Sequence, residues 1–262
     1  VVARYFSEIW RLHHFWLALV RIDLKNRYRR SMIGVGWSLL HPILMTIVLS
    51  MVFGSIIRVT NIWIYAPYLL SGLIFWQYTS TNCTQGCHCF FIGESYIRQH
   101  PAPLAIYPLR TTLGAGIHFL IGMGVVLVFV WYVKGWENLP ALVNLIPVFI
   151  LLFIFGWSLA ILMGTANVLF QDCQHLIDVV LQILFYLTPI LYNTDMLRQR
   201  HLDWFVAVNP LAIMLELLRL PILYGKNLPL SLYAQGWLVT AVTAGAATLT
   251  LLRFERRMIF YL

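Results

Sequence analysis

The chain has 262 residues, 60% of them hydrophobic and only 11% charged, with a formal net charge of +8. Soluble domains carry about a quarter charged residues, so this composition excludes an ordinary soluble domain and defines an integral membrane protein. The positive balance does not imply nucleic acid, whose binding surfaces array Lys and Arg on one solvated face. Here the basic residues gather at the ends of apolar segments, where topology signals and anionic lipid headgroups use them.

Residues 1–30 come first. Ser7, Arg11, His14, Arg21 and Lys25 recur near helical spacing, with Phe6, Ile9, Trp16, Val20 and Leu24 around the other side. That pattern predicts a cytoplasmic amphipathic helix lying in the membrane surface rather than a span. No cleavable signal peptide is expected, because no compact apolar core leads to a small-residue cleavage site.

A helix needs about 20 apolar residues to cross a hydrocarbon core. Six predicted spans follow in one transmembrane domain, at 34–57, 67–91, 108–133, 143–169, 175–192 and 233–253, the fifth being the shortest and bent by Pro189. With a cytoplasmic N-terminus, twelve Lys and Arg fall inside and six outside, which puts both termini inside. In the fourth span Gly156, Ala160 and Gly164 form a small-residue ridge that lets another helix approach closely. Ala241 and Gly245 offer a weaker version in the sixth.

The outer segment 193–232 contains "NPLAIMLELLRLPILYGK", too short to span. Glu216 and Arg219 stand three apart on one helical face, placed to pair. Short interfacial or re-entrant helices are expected there. They must be covered by protein or border a wet cavity, because irregular backbone cannot face lipid.

Chemistry-bearing motifs are scarce. There is no G-x-x-x-x-G-K-[ST] loop for nucleotide phosphates, no H-E-x-x-H and no G-x-S-x-G, and the ten acidic residues are scattered singly. "CTQGCHC" sets Cys83, Cys87, His88 and Cys89 at one end of the second span. Such groups can ligate soft metals, but Cys89 points away from Cys83, and cysteine is an ordinary small apolar residue in buried helices. No metal site is expected, and with Cys173 the four cysteines make no secreted disulfide framework. His41 and His118 lie within spans, where an ionisable residue is a functional candidate. The preferred reading is structural, a hydrogen bond to a neighbouring helix. That suits His41 in particular, since Pro42 frees a backbone carbonyl.

Five stretches, in order, carry a resemblance: "DLKNRYRRSMIGVGWSLLHPILMTIVLSMVFG", "LLSGLIFWQY", "PAPLAIYPLRTTL", "LFQDCQHLIDVVLQILFYLTPILY" and "VNPLAIMLELLRLPILYGKNLP". Together they resemble the membrane subunits of type-2 ATP-binding-cassette exporters of polysaccharides, those of O-antigen, capsule and teichoic acid. Gln171 stands where the family often has arginine before Asp172, and His41 where an amide commonly precedes the proline. The resemblance implies a homodimer joined to two copies of a separate ABC ATPase, which holds ATP and Mg, in a bacterial inner (plasma) membrane. The chain itself would then be no enzyme and would need no cofactor. It also implies that Glu94–Tyr107 docks into the ATPase through Glu94, Tyr96, Ile97, Arg98, Pro101 and Pro103.

The substrate implied is a lipid-linked polysaccharide, often on polyprenyl diphosphate. Arg27, Arg29 and Arg30 are candidates for the diphosphate, since arginine forks match phosphate oxygens; topology and bulk anionic lipid are the competing use. Trp37, Phe53, Phe185, Tyr186 and Tyr192 are candidates to line the glycan path. Segment 193–232 is a candidate outer gate. A same-fold exporter of lipid or drug is the alternative, and a secondary transporter is disfavoured by the lack of charge within the spans.

Overall fold

The computed structural model describes residues 2–29, 31, 34, 36–56, 61–99, 102–135, 139–192 and 208–261. Among them run ten helices: α1 (Val2–Arg11), α2 (His13–Tyr28), α3 (Gly36–Ile56), α4 (Ile62–Gln99), α5 (Ile106–Lys134), α6 (Leu139–Leu142), α7 (Leu145–Leu169), α8 (Cys173–Leu187), α9 (Pro210–Tyr224) and α10 (Leu230–Tyr261). The long helices alternate in direction, so one end of the bundle gathers α1, α2, the α4–α5 turn and the end of α10. We call this the terminal end and its opposite the distal end. Four helical stretches, Gly36–Ser55, Ile106–Lys134, Leu145–Leu169 and Leu230–Glu255, are long and apolar enough to cross a membrane.

Helix α4 is the axis of the bundle, packing against α3, α5, α7 and α8. Its 38 residues reach about 57 Å at 1.5 Å per residue, far beyond the predicted 67–91. The added turns are polar, but polarity alone does not stop a helix. Glu94 and Arg98 pair at 2.8 Å across one turn, in the favourable acid-before-base order. The described helix reaches Gln99, two residues ahead of Pro101.

The glycine ridge on α7 meets α4 as predicted. A Cβ at Gly164 would lie 2.8 Å from the Gly86 carbonyl oxygen, and one at Gly86 would lie 2.8 Å from Ala160 Cα. At Gly156 the space is taken by the Tyr78 ring, whose hydroxyl donates to the Leu152 carbonyl at 3.0 Å. Asn167 Nδ2 donates to the Cys87 carbonyl at 2.9 Å, so close approach and buried hydrogen bonds join α7 to α4 together. The second ridge does not pack within the chain: a Cβ at Gly245 would meet nothing within 4 Å.

Other boundaries need correction. The amphipathic segment is two helices rather than one, broken at Leu12. Its faces are otherwise as read, with Ser7, Arg11, His14, Arg21 and Lys25 exposed and Ile9 and Val20 buried. The fifth predicted span ends early, at Leu187. Pro189 pushes Thr188 to extended backbone, with φ −88° and ψ 137°, and Thr188–Tyr192 continues as buried turns and bends. In the predicted outer segment, residues 193–207 lie outside the described residues. α9 forms where "NPLAIMLELLRLPILYG" predicts a short helix. The Asn209 side chain caps it by accepting from the Leu211 N–H at 2.9 Å, Pro210 opens it, and Gly225 closes it in left-handed backbone at φ 60°.

Candidate functional site

Three places gather the polar chemistry. At the distal end, Arg219 of α9 is 5% exposed. It does not pair with Glu216, as their spacing suggested; no ion pair joins them among the described residues. Its guanidinium donates instead to the carbonyls of Pro189 at 2.5 Å, Ile190 at 3.2 Å and Tyr68 at 2.9 Å, and to Ser71 Oγ at 3.4 Å. It also lies 3.6 Å from the centre of the Tyr68 ring, a stacking geometry arginine favours.

The same knot satisfies the rest of the non-helical segment. The Tyr65 hydroxyl donates to the Leu191 carbonyl at 2.6 Å, and that of Tyr68 reaches the Tyr192 carbonyl at 2.7 Å. Asn209 Nδ2 donates to Thr188 Oγ1 at 3.1 Å. Buried irregular backbone must find its partners inside the protein, and here α4 and α9 supply them. Sequence reasoning took this stretch as the end of the fifth span and expected protein cover only for 193–232; it missed the donors, which come from positions up to 126 residues away.

The aromatic candidates divide. Phe185 packs edge-on against Trp76 of α4 at 5.4 Å and against Tyr186 at 5.3 Å. Tyr186 is 62% exposed and Trp37 54% exposed, while Phe53 is half-buried against the distal core. Tyr192 folds back, its hydroxyl donating to the Tyr186 and Leu187 carbonyls at 3.1 and 3.2 Å. Within one chain they do not form one surface: Trp37 stands at the terminal end of α3 and the other four at the distal end.

At the terminal end, the α4–α5 turn is wired to both ends of the chain. The Tyr5 hydroxyl donates to Glu255 Oε1 at 2.9 Å and accepts from the Ala105 N–H at 3.3 Å. Glu255 Oε1 also accepts from the Leu104 N–H at 3.3 Å, and Trp157 Nε1 donates to the Ala105 carbonyl at 3.1 Å. Tyr5 and Glu255 thus serve the N–H groups of Leu104 and Ala105 just ahead of α5 and set a carboxylate at the positive end of its dipole. Burial pushes the Tyr5 phenol well above its usual range, so it stays protonated as donor.

The predicted docking residues sit beside this hub. Glu94, Tyr96, Ile97 and Arg98 lie on the last turns of α4 rather than in a loop. Tyr96 packs edge-on to Phe15 of α2 at 6.0 Å. Pro103 is half-buried in the turn, and Pro101 lies outside the described residues. Tyr5, Glu255 and Trp157 were invisible to sequence reasoning, because no local pattern links positions 250 residues apart.

The third place is a cleft of about 760 Å³ between α2, α4 and α5. Arg27 lines it, together with Asp23, Gln85, His88, Arg110 and His118. Asp23 grips Arg110 through both carboxylate oxygens. The Tyr28 hydroxyl lies 3.2 Å from His118 Nε2, the neighbour-helix bond expected of that histidine. His41 differs: its side chain is exposed on α3 and has no hydrogen bond among the described residues. The three candidate arginines are not one cluster. Arg27 enters the cleft, Arg29 is exposed just past the end of α2, and Arg30 lies outside the described residues. Cys83, Cys87 and Cys89 are buried, Cys87 donating to the Cys83 carbonyl at 3.2 Å. Among the described residues no group of three metal-ligating side chains converges.

A bundle with four helices long and apolar enough to cross a membrane defines a multi-helix membrane protein, and comparison with known proteins gives its family. Residues 14–223 match the family described as ABC-2 type transporter, and the chain belongs to that family. Relatives include an O-antigen export system permease protein RfbA of Klebsiella pneumoniae, 31% identical over 74% of this chain and 74% of the relative. A protein of the same description from Myxococcus xanthus is 25% identical over 86% of each chain. The polysialic acid transport protein KpsM of Escherichia coli is 22% identical over 79% of this chain and 81% of its own.

Proposed function

We propose that the chain is the membrane-spanning subunit of an ATP-driven exporter that moves a lipid-linked polysaccharide from the cytoplasmic to the outer side of a bacterial inner membrane. The observation that carries this reading is the family match over 14–223 together with relatives described as O-antigen export and polysialic acid transport proteins. In this reading the terminal end is cytoplasmic, and α3, α4, α5, α7, α8 and α10 are the six spans. α8 is short, about 22 Å at 1.5 Å per residue, and the Thr188–Tyr192 segment completes its crossing. α9 is the outer interfacial or re-entrant helix and, with 193–207, the gate segment.

Two such subunits work with two copies of a separate ABC ATPase, which holds ATP and Mg. The exposed faces of α3 and α8 support a homodimer in which Trp37, Phe53, Phe185, Tyr186 and Tyr192 border the glycan path. Weak aromatic contacts hold sugars without stalling a moving polymer, while hydroxyls stay wet. Arg27, Arg29 and Arg30 serve the carrier diphosphate. Glu94, Tyr96, Ile97, Arg98, Pro101 and Pro103 form the docking element. Its turn is tied to α1 and α10 through Tyr5 and Glu255, so a push on the turn reaches both ends of the chain. For the push to change affinity for cargo, the ATPase must favour different permease conformations in its nucleotide states.

The test is depletion in cells followed by extraction of lipid-linked glycan. Accumulation on the cytoplasmic side is expected. Normal export of glycan with loss of a lipid or drug flux instead would assign the same fold to another cargo.

A further inference from the structure

The cleft between α2, α4 and α5 has chemistry that the packing of the fold does not use. Its internal charges nearly cancel, because Asp23 spends both oxygens on Arg110. That leaves Arg27 as the cation facing the space, with no hydrogen bond among the described residues. Gln85 and His88, on the α4 wall, are likewise without a side-chain hydrogen bond among the described residues. The hydroxyl of Tyr107, in the α5 wall, is buried with no partner. Of these the Tyr107 hydroxyl is the buried one, and a buried polar group without a partner is costly; Arg27 and Gln85 are exposed and His88 half-buried, and all three line the cleft with their donors unspent.

The shape adds a second constraint. A narrower groove shares Arg27 and His118 with the cleft and continues along α4 past Thr81 to Gln77. Gln77, Thr81, Gln85 and His88 therefore make one polar stripe at helical spacing. The flanks are apolar: Leu24, Phe91 and Ile92 border the cleft, and Ile92 is 60% exposed. From Arg110 to His118 the α5 wall runs about 12 Å at 1.5 Å per residue, the depth of a headgroup layer rather than of a surface patch. Gly114, where an added Cβ would meet nothing within 4 Å, keeps that wall open.

We infer that this cleft is a binding site for a phosphate-bearing lipid headgroup, whose phosphate oxygens accept from Arg27, His88 and Gln85 while its chain lies along Leu24 and Ile92. An arginine with free donors matches phosphate oxygens in pairs, and an apolar flank beside it selects a lipid over a free anion. The inference rests on the proposed function only for the identity of the lipid, since carrier diphosphate and bulk anionic phospholipid share the chemistry.

The experiment uses the permease–ATPase complex in neutral-phospholipid nanodiscs doped with either a polyprenyl diphosphate or phosphatidylglycerol, with lipid retention read by native mass spectrometry without nucleotide. Arg27→Gln and His88→Ala each lower retention about five- to tenfold, the worth of one or two charge-assisted hydrogen bonds. Arg27→Lys recovers part of it, and Lys25→Gln, on the same helix but outside the cleft, changes it less than about twofold. Retention of the diphosphate alone makes the cleft a cargo site, and retention of phosphatidylglycerol alone makes it a site for bulk lipid; both uphold the headgroup. Equal losses for Lys25→Gln and Arg27→Gln would overturn the site in favour of diffuse surface charge. Full protection by inorganic pyrophosphate with no gain from the lipid chain would overturn the lipid assignment. Because no transport is measured, a failure here is separate from a failure to export glycan.

Discussion

The two ends of the bundle treat polar groups in opposite ways. At the distal end every carbonyl of the unwound segment from Leu187 to Tyr192 is claimed: Thr188 by the Ile190 N–H, the others by side chains, with Arg219 holding several at once. At the terminal end hydrogen-bonding capacity is left over, in the cleft around Arg27, and the bonds that do form join distant parts of the chain at a turn. A saturated network resists rearrangement, because each broken bond strands a buried group. A network with spare donors can receive something. The first end is built to hold a shape and the second to be acted upon.

The largest effect should follow from emptying the saturated end. Arg219→Ala leaves the Ile190 carbonyl without a donor, takes one partner each from the Pro189 and Tyr68 carbonyls and the Ser71 hydroxyl, and empties a buried space; it should cost about 3–5 kcal/mol, seen as loss of monodisperse protein or a large drop in detergent melting temperature. Arg219→Lys should lie between, because one ammonium cannot reproduce the fork. If Arg219→Ala melts like the parent, the distal end is not the rigid one.

Gly164→Leu comes next. It drives a branched side chain into the Gly86 carbonyl and the Phe90 ring and should cost about 2–3 kcal/mol through overpacking. Gly245→Leu, facing open space, should be nearly silent in the isolated subunit. Melting curves of the two variants side by side check the pair.

Tyr5→Phe removes one hydrogen bond to Glu255 and the acceptor for Ala105, worth about 1 kcal/mol in stability. Its larger consequence should be functional: ATP hydrolysis continues while glycan moved per ATP falls. Measuring both rates on one preparation separates loss of coupling from loss of fold. The smallest effect belongs to Glu94→Gln, which breaks an exposed pair and should change stability by no more than about 0.5 kcal/mol. A large thermal shift there would mean that this turn is structural rather than a docking surface.

What the sequence made legible follows the range over which each signal acts. Apolar runs gave the order of the long helices, and the four-residue repeat of Gly156, Ala160 and Gly164 gave the tight face of α7. The short apolar run of "NPLAIMLELLRLPILYGK" gave α9 as a short helix, while its caps at Asn209 and Gly225 came only with the structure. The extension of α4 to Gln99 was hidden because hydropathy marks where a membrane ends, not where a helix ends. The early stop of α8 was half visible in Pro189, whose influence falls on Thr188 before it. The hub of Tyr5, Glu255 and the α5 turn, and the partners of Arg219, were out of reach: they are contacts between distant residues, and the residues themselves look ordinary in their own neighbourhoods. Of the cleft, Arg27, His88 and His118 stood out one by one in the sequence, as a phosphate candidate, part of a cysteine-rich stretch and an intramembrane histidine; only the packing of α2 and α5 against α4 brings them together with Gln85.

The most direct test of the account is reconstitution. Permease and ATPase are placed together in sealed proteoliposomes with a lipid-linked glycan labelled on the side bearing the nucleotide sites, and its appearance on the other side is followed. ATP-dependent movement by the complex is expected, and none by the permease alone, with or without ATP. Movement driven by the permease without its ATPase would contradict it.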